Sequence, residues 1–191
     1  MKDEIINEIS KINREGKDKL ITFLSESDFF EAPCSTKYHC SYAGGLAEHS
    51  WNVYELLQEK NKRYNLELDE DSIIICGLLH DICKAHFYRK SGNTYVVDDS
   101  LPLGHGEKSV IVIQNFIKLT KEESLMIRWH MSAFNLNFTD YTQTSAYYKA
   151  VKLYPTVLAL FTADYEATTF IEKWNEQDKQ NLISLTNLKK K

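Results

Sequence analysis

One segment constrains this chain more than any other: Ile73-Ile74-Ile75-Cys76-Gly77-Leu78-Leu79, with no polar side chain on any face, closed by His80-Asp81. A helix that is apolar all round cannot lie on a surface, so it belongs at the centre of a fold with other elements wrapped around it. Asp69 or Asp71 can cap its start. A second mostly apolar stretch, 157–170, follows Pro155 and needs the same burial. A chain of 191 residues can enclose both segments, since a domain of that size buries roughly 70% of its unfolded surface.

The remaining periodicity is helical almost throughout. Residues 1–25 read as two short helices broken at Gly16, and 27–41 as a loop. Gly44-Gly45 punctuates the chain before a helix running to about Asn65. Phe87-Tyr88 and Thr94-Tyr95-Val96-Val97 flank Ser91-Gly92-Asn93, a hairpin signal within 86–98. A helix is expected over 107–119. Thr120-Lys121-Glu122-Glu123 has the form of a capping box opening the next helix. The reading continues with a loop over 132–144, a helix from about Ser145 interrupted at Pro155, and a final amphipathic helix over 171–185. The expectation is an all-α helical bundle with a small β-hairpin insertion. It forms one domain over 1–191, made of N-terminal helices (1–30), a core (36–170) and a C-terminal helix (171–191).

Composition removes several function classes. The 23 basic and 27 acidic residues give a formal charge of −4, which offers no basic platform for duplex nucleic acid or an anionic membrane. No apolar run approaches the roughly 20 residues that cross a bilayer, and the N-terminus has no signal-peptide pattern. The cysteines Cys34, Cys40, Cys76 and Cys83 form no CxxC pair, so reduced thiols in a cytoplasmic protein are expected.

Chemistry enters where polar residues interrupt apolar helices. His80-Asp81 terminates the most buried segment. His49 follows Gly44-Gly45, with Glu48 beside it. Asp164 lies within Leu160-Phe161-Thr162-Ala163-Asp164-Tyr165. A buried carboxylate without a partner costs several kcal/mol or takes up a proton, so each of these wants a cation. One ion shared among three helices accounts for all of them. Imidazole and carboxylate donors together suit Mn, Fe, Co, Ni or Zn.

These residues, in the order His49, His80-Asp81, Asp164, resemble the HD-domain phosphohydrolase family. Two stretches carry the likeness: Tyr38-His39-Cys40-Ser41-Tyr42-Ala43-Gly44-Gly45-Leu46-Ala47-Glu48-His49 and Gly77-Leu78-Leu79-His80-Asp81-Ile82-Cys83-Lys84. They are similar to stand-alone HD hydrolases and to the HD domain of bacterial 3′–5′ exoribonucleases. The resemblance implies that His49, His80, Asp81 and Asp164 hold one divalent metal, and that a metal-activated water hydrolyses a nucleotide or other small phosphate ester. It further implies that Lys84 holds a phosphate oxygen, and Asp81 would take a proton from the water if it leans away from the metal. Glu48 would orient a ligand imidazole, and His39 would line the entrance as a substrate contact. Some HD families, the HD-GYP phosphodiesterases among them, use two more histidines for a second metal. His105 and His130 match that order and are candidates for it, or for substrate phosphate. The rival readings are a non-catalytic nucleotide-binding sensor module and a nuclease on short single-stranded RNA or DNA.

Overall fold

The computed structural model describes residues 1–92, 94–132, 136–137 and 139–172. Helices α1 (Lys2–Ser10) and α2 (Lys17–Glu26) precede the long α3 (Gly45–Tyr64) and α4 (Glu70–Leu79). One 3-10 turn (Ile82–Lys84) then leads to strands β1 (Tyr88–Ser91) and β2 (Thr94–Val97). Helices α5 (His105–Gln114), α6 (Lys121–Trp129), α7 (Tyr141–Leu153) and α8 (Thr156–Glu166) follow, and a π-helical turn (Ala167–Ile171) comes after α8. This is the expected helical bundle with a two-stranded antiparallel insertion, in which Tyr88 faces Val97 and Ser91 faces Thr94.

The apolar segment is the hub. Every residue of α4 from Ser72 to Leu79 is buried, and α4 packs against α1, α3 and α6. Asp69, not Asp71, caps it, its carboxylate accepting from the Ser72 N–H at 2.6 Å. Asp71 instead accepts from the Asn13 N–H at 3.1 Å. Close approach of α3 depends on Gly77, because a Cβ there would lie 2.6 Å from the Tyr54 Cα. Gly106 does the same between α5 and α6, where a Cβ would come within 2.3 Å of the Arg128 carbonyl oxygen. Helix α8 packs against both α3 and α6, which in turn flank this hub.

Several boundaries differ from the sequence reading. Helix α5 begins at His105 and ends at Gln114. Tighter bonds, from Asn115 N–H to Val112 and from Phe116 N–H to Ile113, close its last turn. Helix α7 starts at Tyr141 because Asp140 accepts from the N–H groups of Thr142 and Gln143, so the expected loop is shorter. No helix begins at Ile171. That residue closes the π turn, and Glu172 is extended with φ −85° and ψ 150°. The rest of the expected C-terminal helix, 173–185, lies outside the described residues. Among the described residues no helix is long and apolar enough to cross a membrane.

Candidate metal centre

The site forms where the ends of α4 and α6 meet the sides of α3 and α8. His80 caps the C-terminus of α4 and donates from Nδ1 to the Gly77 carbonyl at 2.9 Å. His130 stands at the same place on α6 and donates from Nδ1 to the Ile127 carbonyl at 2.7 Å. A carbonyl only accepts, so in each neutral ring the proton sits on Nδ1 and the Nε2 lone pair faces the interior. Consecutive helical side chains diverge by about 100°, yet Asp81 rejoins His80. Its backbone leaves the helix at φ −111° and ψ 18°, which returns Oδ2 to 3.6 Å from His80 Nε2.

His49 projects from the second turn of α3. Its Nδ1 is held by Glu172 Oε1 at 2.8 Å, which turns Nε2 to 3.1 Å from His80 Nε2. From there Asp164 Oδ1 of α8 is 3.3 Å away, and Asp81 Oδ2 is 3.7 Å away. His130 Nε2 lies 3.4 Å from Asp81 Oδ1. Donor atoms of His49, His80 and Asp81 all fall within 4.8 Å of one another, as do those of His80, His130 and Asp164.

This arrangement fits a cation. His49 Nε2 and His80 Nε2 face each other at 3.1 Å, and an ion beside them could take a lone pair from each ring. Asp81 Oδ1 and His130 Nε2 are both buried without a hydrogen-bond partner, which is costly in an interior unless a further charge satisfies them. Three nitrogens and two carboxylates form a donor set for a divalent transition ion. Each ring is also fixed through its other nitrogen, the support that metal-binding histidines need.

The local field follows from the same contacts. Burial pushes the Asp81 carboxyl up, but Lys84, His80 and His130 outweigh it and hold the group well below the usual range. Asp164 is likewise held down, chiefly by His49, against its burial. Burial lowers His80 to about 4. It also opposes charge on His49, but Cys34, Asp164 and Glu172 prevail and raise that ring well above its ordinary value.

The other sequence candidates are placed as follows. Lys84 is buried, with its ammonium 2.7 Å from Asp81 Oδ2 and 3.4 Å from Cys34 Sγ. His39 touches the site from the loop before α3, its Nδ1 2.5 Å from Glu172 Oε2. Glu48 accepts from the Tyr42 hydroxyl at 2.8 Å instead of contacting a ring of the cluster; the carboxylate against His49 Nδ1 is Glu172. His105 and His130, the candidates for a second metal, are placed differently from one another. His130 groups with His80 and Asp164, while His105 lies against Phe87 with Nδ1 3.6 Å from Cys83 Sγ and feels the charges of Asp81 and His130. Side-chain exposure of 15% at His39 and 12% at Asp164, against 1% or less at His49, His80, Asp81 and His130, puts the approach on the His39–Asp164 side.

Residues 46–168 match the HD domain family, and the chain belongs to that family. The chain is similar to the dihydroneopterin 2′,3′-cyclic phosphate phosphodiesterase of Methanocaldococcus jannaschii, 38% identical over 80 residues. The match covers 39% of this chain and 32% of that protein, less than half of either. No solved structure matches.

Proposed function

We propose that the chain is a divalent-metal-dependent phosphohydrolase acting on a small phosphate ester of nucleotide type. His49, His80, Asp81 and Asp164 would hold the ion, with His130 as a further nitrogen beside Asp81. The observation that carries this reading is the convergence of three imidazole Nε2 atoms, each with its Nδ1 already engaged, on two buried carboxylates. A bound ion would acidify water and offset charge on the phosphoryl group.

The remaining work falls to the chain. Gly77, Ile127 and Glu172 keep the three lone pairs directed inward, so no reorganisation is needed when a ligand arrives. Lys84 offers an ammonium next to Asp81, on which a phosphate oxygen can settle. Asp81 Oδ1 has no hydrogen-bond donor and would accept a proton from an attacking water if it leans away from the ion. The relative from M. jannaschii is named as a phosphodiesterase on a 2′,3′-cyclic phosphate, which supports small cyclic and linear phosphodiesters as the first substrates to try.

Elemental analysis of the purified protein, followed by a nucleotide and phosphodiester panel with Mn, Fe, Co, Ni and Zn, tests the proposal. Near one ion per chain and turnover are expected, with both lost in His80→Ala and in Asp164→Ala. Protein that binds no ion under any of these conditions contradicts the proposal. Stoichiometric metal with no turnover across the panel removes the catalytic half and leaves a binding module.

A further inference from the structure

The family match ends at residue 168 and begins at residue 46, yet two side chains outside it reach His49. Glu172, buried just beyond the π turn, spans two imidazoles with one carboxylate. Oε1 meets His49 Nδ1 at 2.8 Å, and Oε2 meets His39 Nδ1 at 2.5 Å. Asn52 Nδ2 adds a longer bond to Oε1 at 3.4 Å. The rings of His39 and His49 stand edge to face with centroids 5.0 Å apart. The loop carrying His39 is folded independently of Glu172, through Cys34 N–H to the Cys40 carbonyl at 3.0 Å and Ser35 Oγ to the His39 carbonyl at 2.7 Å.

From this geometry we infer that Glu172 is a positioning residue for the metal centre, fixing His49 in the tautomer whose Nε2 is free to bind, while its other oxygen holds His39, so that the two rings compete only when one of those oxygens is lost. The inference rests on the metal-binding reading above. A carboxylate has two acceptor oxygens and can receive an N–H from both rings at once. The isosteric amide has one acceptor and one donor, so it serves one ring correctly and forces the other to accept. An imidazole accepting at Nδ1 carries its proton on Nε2, where it blocks the ion.

That asymmetry gives a test that a merely structural glutamate would not pass. In Glu172→Gln, affinity for zinc or cobalt should fall by roughly 10–100-fold, the usual effect of removing a partner that orients a ligand histidine. In His39→Ala affinity should stay near wild type, since His49 keeps its carboxylate. In the double variant His39→Ala/Glu172→Gln the amide oxygen is released to His49, so affinity should return most of the way to wild type. Thermal unfolding of each metal-free variant checks that the fold is intact, and Glu172→Asp serves as the conservative control should Glu172→Gln fail to fold. Wild-type affinity in Glu172→Gln overturns the inference, and so does a double variant as weak as the single one. Wild-type protein that binds no metal at all instead contradicts the proposed function, which keeps the two failures apart.

Discussion

In the proposed function Lys84 would serve binding and chemistry in opposite directions. Its ammonium compensates Asp81 at 2.7 Å, and the Asp81 carboxylate keeps its charge in a buried setting because of it. A divalent ion on the same carboxylate would sit near a positive charge, so on the proposed reading Lys84 would weaken metal binding while drawing a phosphate oxygen inward. Lys84→Met keeps the length of the side chain and removes the charge. It is expected to retain the full metal content by elemental analysis, with equal or tighter affinity. Catalytic efficiency on a phosphodiester should fall roughly 10–100-fold, the worth of one charge-assisted hydrogen bond. Metal content falling together with turnover would show that Lys84 acts only by holding Asp81. Among the residues, His80, Asp81 and Asp164 stand out in the sequence as polar groups in apolar helices, a local conflict that needs no structure to see, whereas His49 lies between Glu48 and Ser50 in a polar helix and stands out by its place in the family's order. Glu172 produces no such conflict. It follows Phe170-Ile171 as acids often follow an apolar turn, and only the backbone beyond the π turn brings its carboxylate to His49.

Among the elements, α4 matters most, and its register against α3 sets the distance between His80 and His49. Tyr54 of α3 lies over Gly77, where an added Cβ would come within 2.6 Å of backbone and 2.9 Å of the Tyr54 Cβ. Backbone cannot swing aside as a flexible side chain does, so the helices must separate. Gly77→Ala is expected to destabilise the protein by about 1–3 kcal/mol, the usual cost of overpacking. It should also weaken metal binding, because His80 leaves the plane in which its Nε2 meets His49. Urea unfolding together with metal titration checks both; a variant of unchanged affinity would mean that the centre does not depend on this contact. The existence and order of the helices are legible in periodicity, and the cap at Asp69 and the box at Thr120 in side-chain chemistry. The start of α7 is less legible because Asp140 is one of several polar residues in its loop. The turn after α8 is least so, since nothing in Ala167-Thr168-Thr169 distinguishes a widened turn from a continuing helix.

Across the whole molecule, α4 and α6 are pinned at both ends. Their C-terminal ends present His80 and His130 to the centre, and their N-terminal ends meet at a buried charge cluster assembled from three parts of the chain. Arg14, between α1 and α2, grips Glu123 with two bonds at 2.6 and 2.7 Å. Glu123 also accepts from the Ser72 hydroxyl at 2.7 Å and the Thr120 N–H at 2.7 Å. The first two helices thereby hold in register the two helices that carry these histidines, although they lie outside the segment matched to the family. Burial alone would raise the Glu123 carboxyl, but Arg14, the Thr120 N–H and Ser72 outweigh it and keep the group below its ordinary value of 4.5. A carboxyl depressed in the folded state stabilises the fold above its unfolded pKa, and that contribution disappears as the pH falls through the depressed value. Glu123→Gln should therefore be less stable than wild type by about 2–3 kcal/mol at pH 7, near the lower end for a broken buried pair because Arg14 remains partly exposed. The gap should narrow once the pH drops below 4.5, as wild type takes up the proton that the amide never needed. Urea titrations of both proteins at several pH values decide it: a difference that stays constant into acid would assign the loss to packing and hydrogen bonding, with no part for the charge.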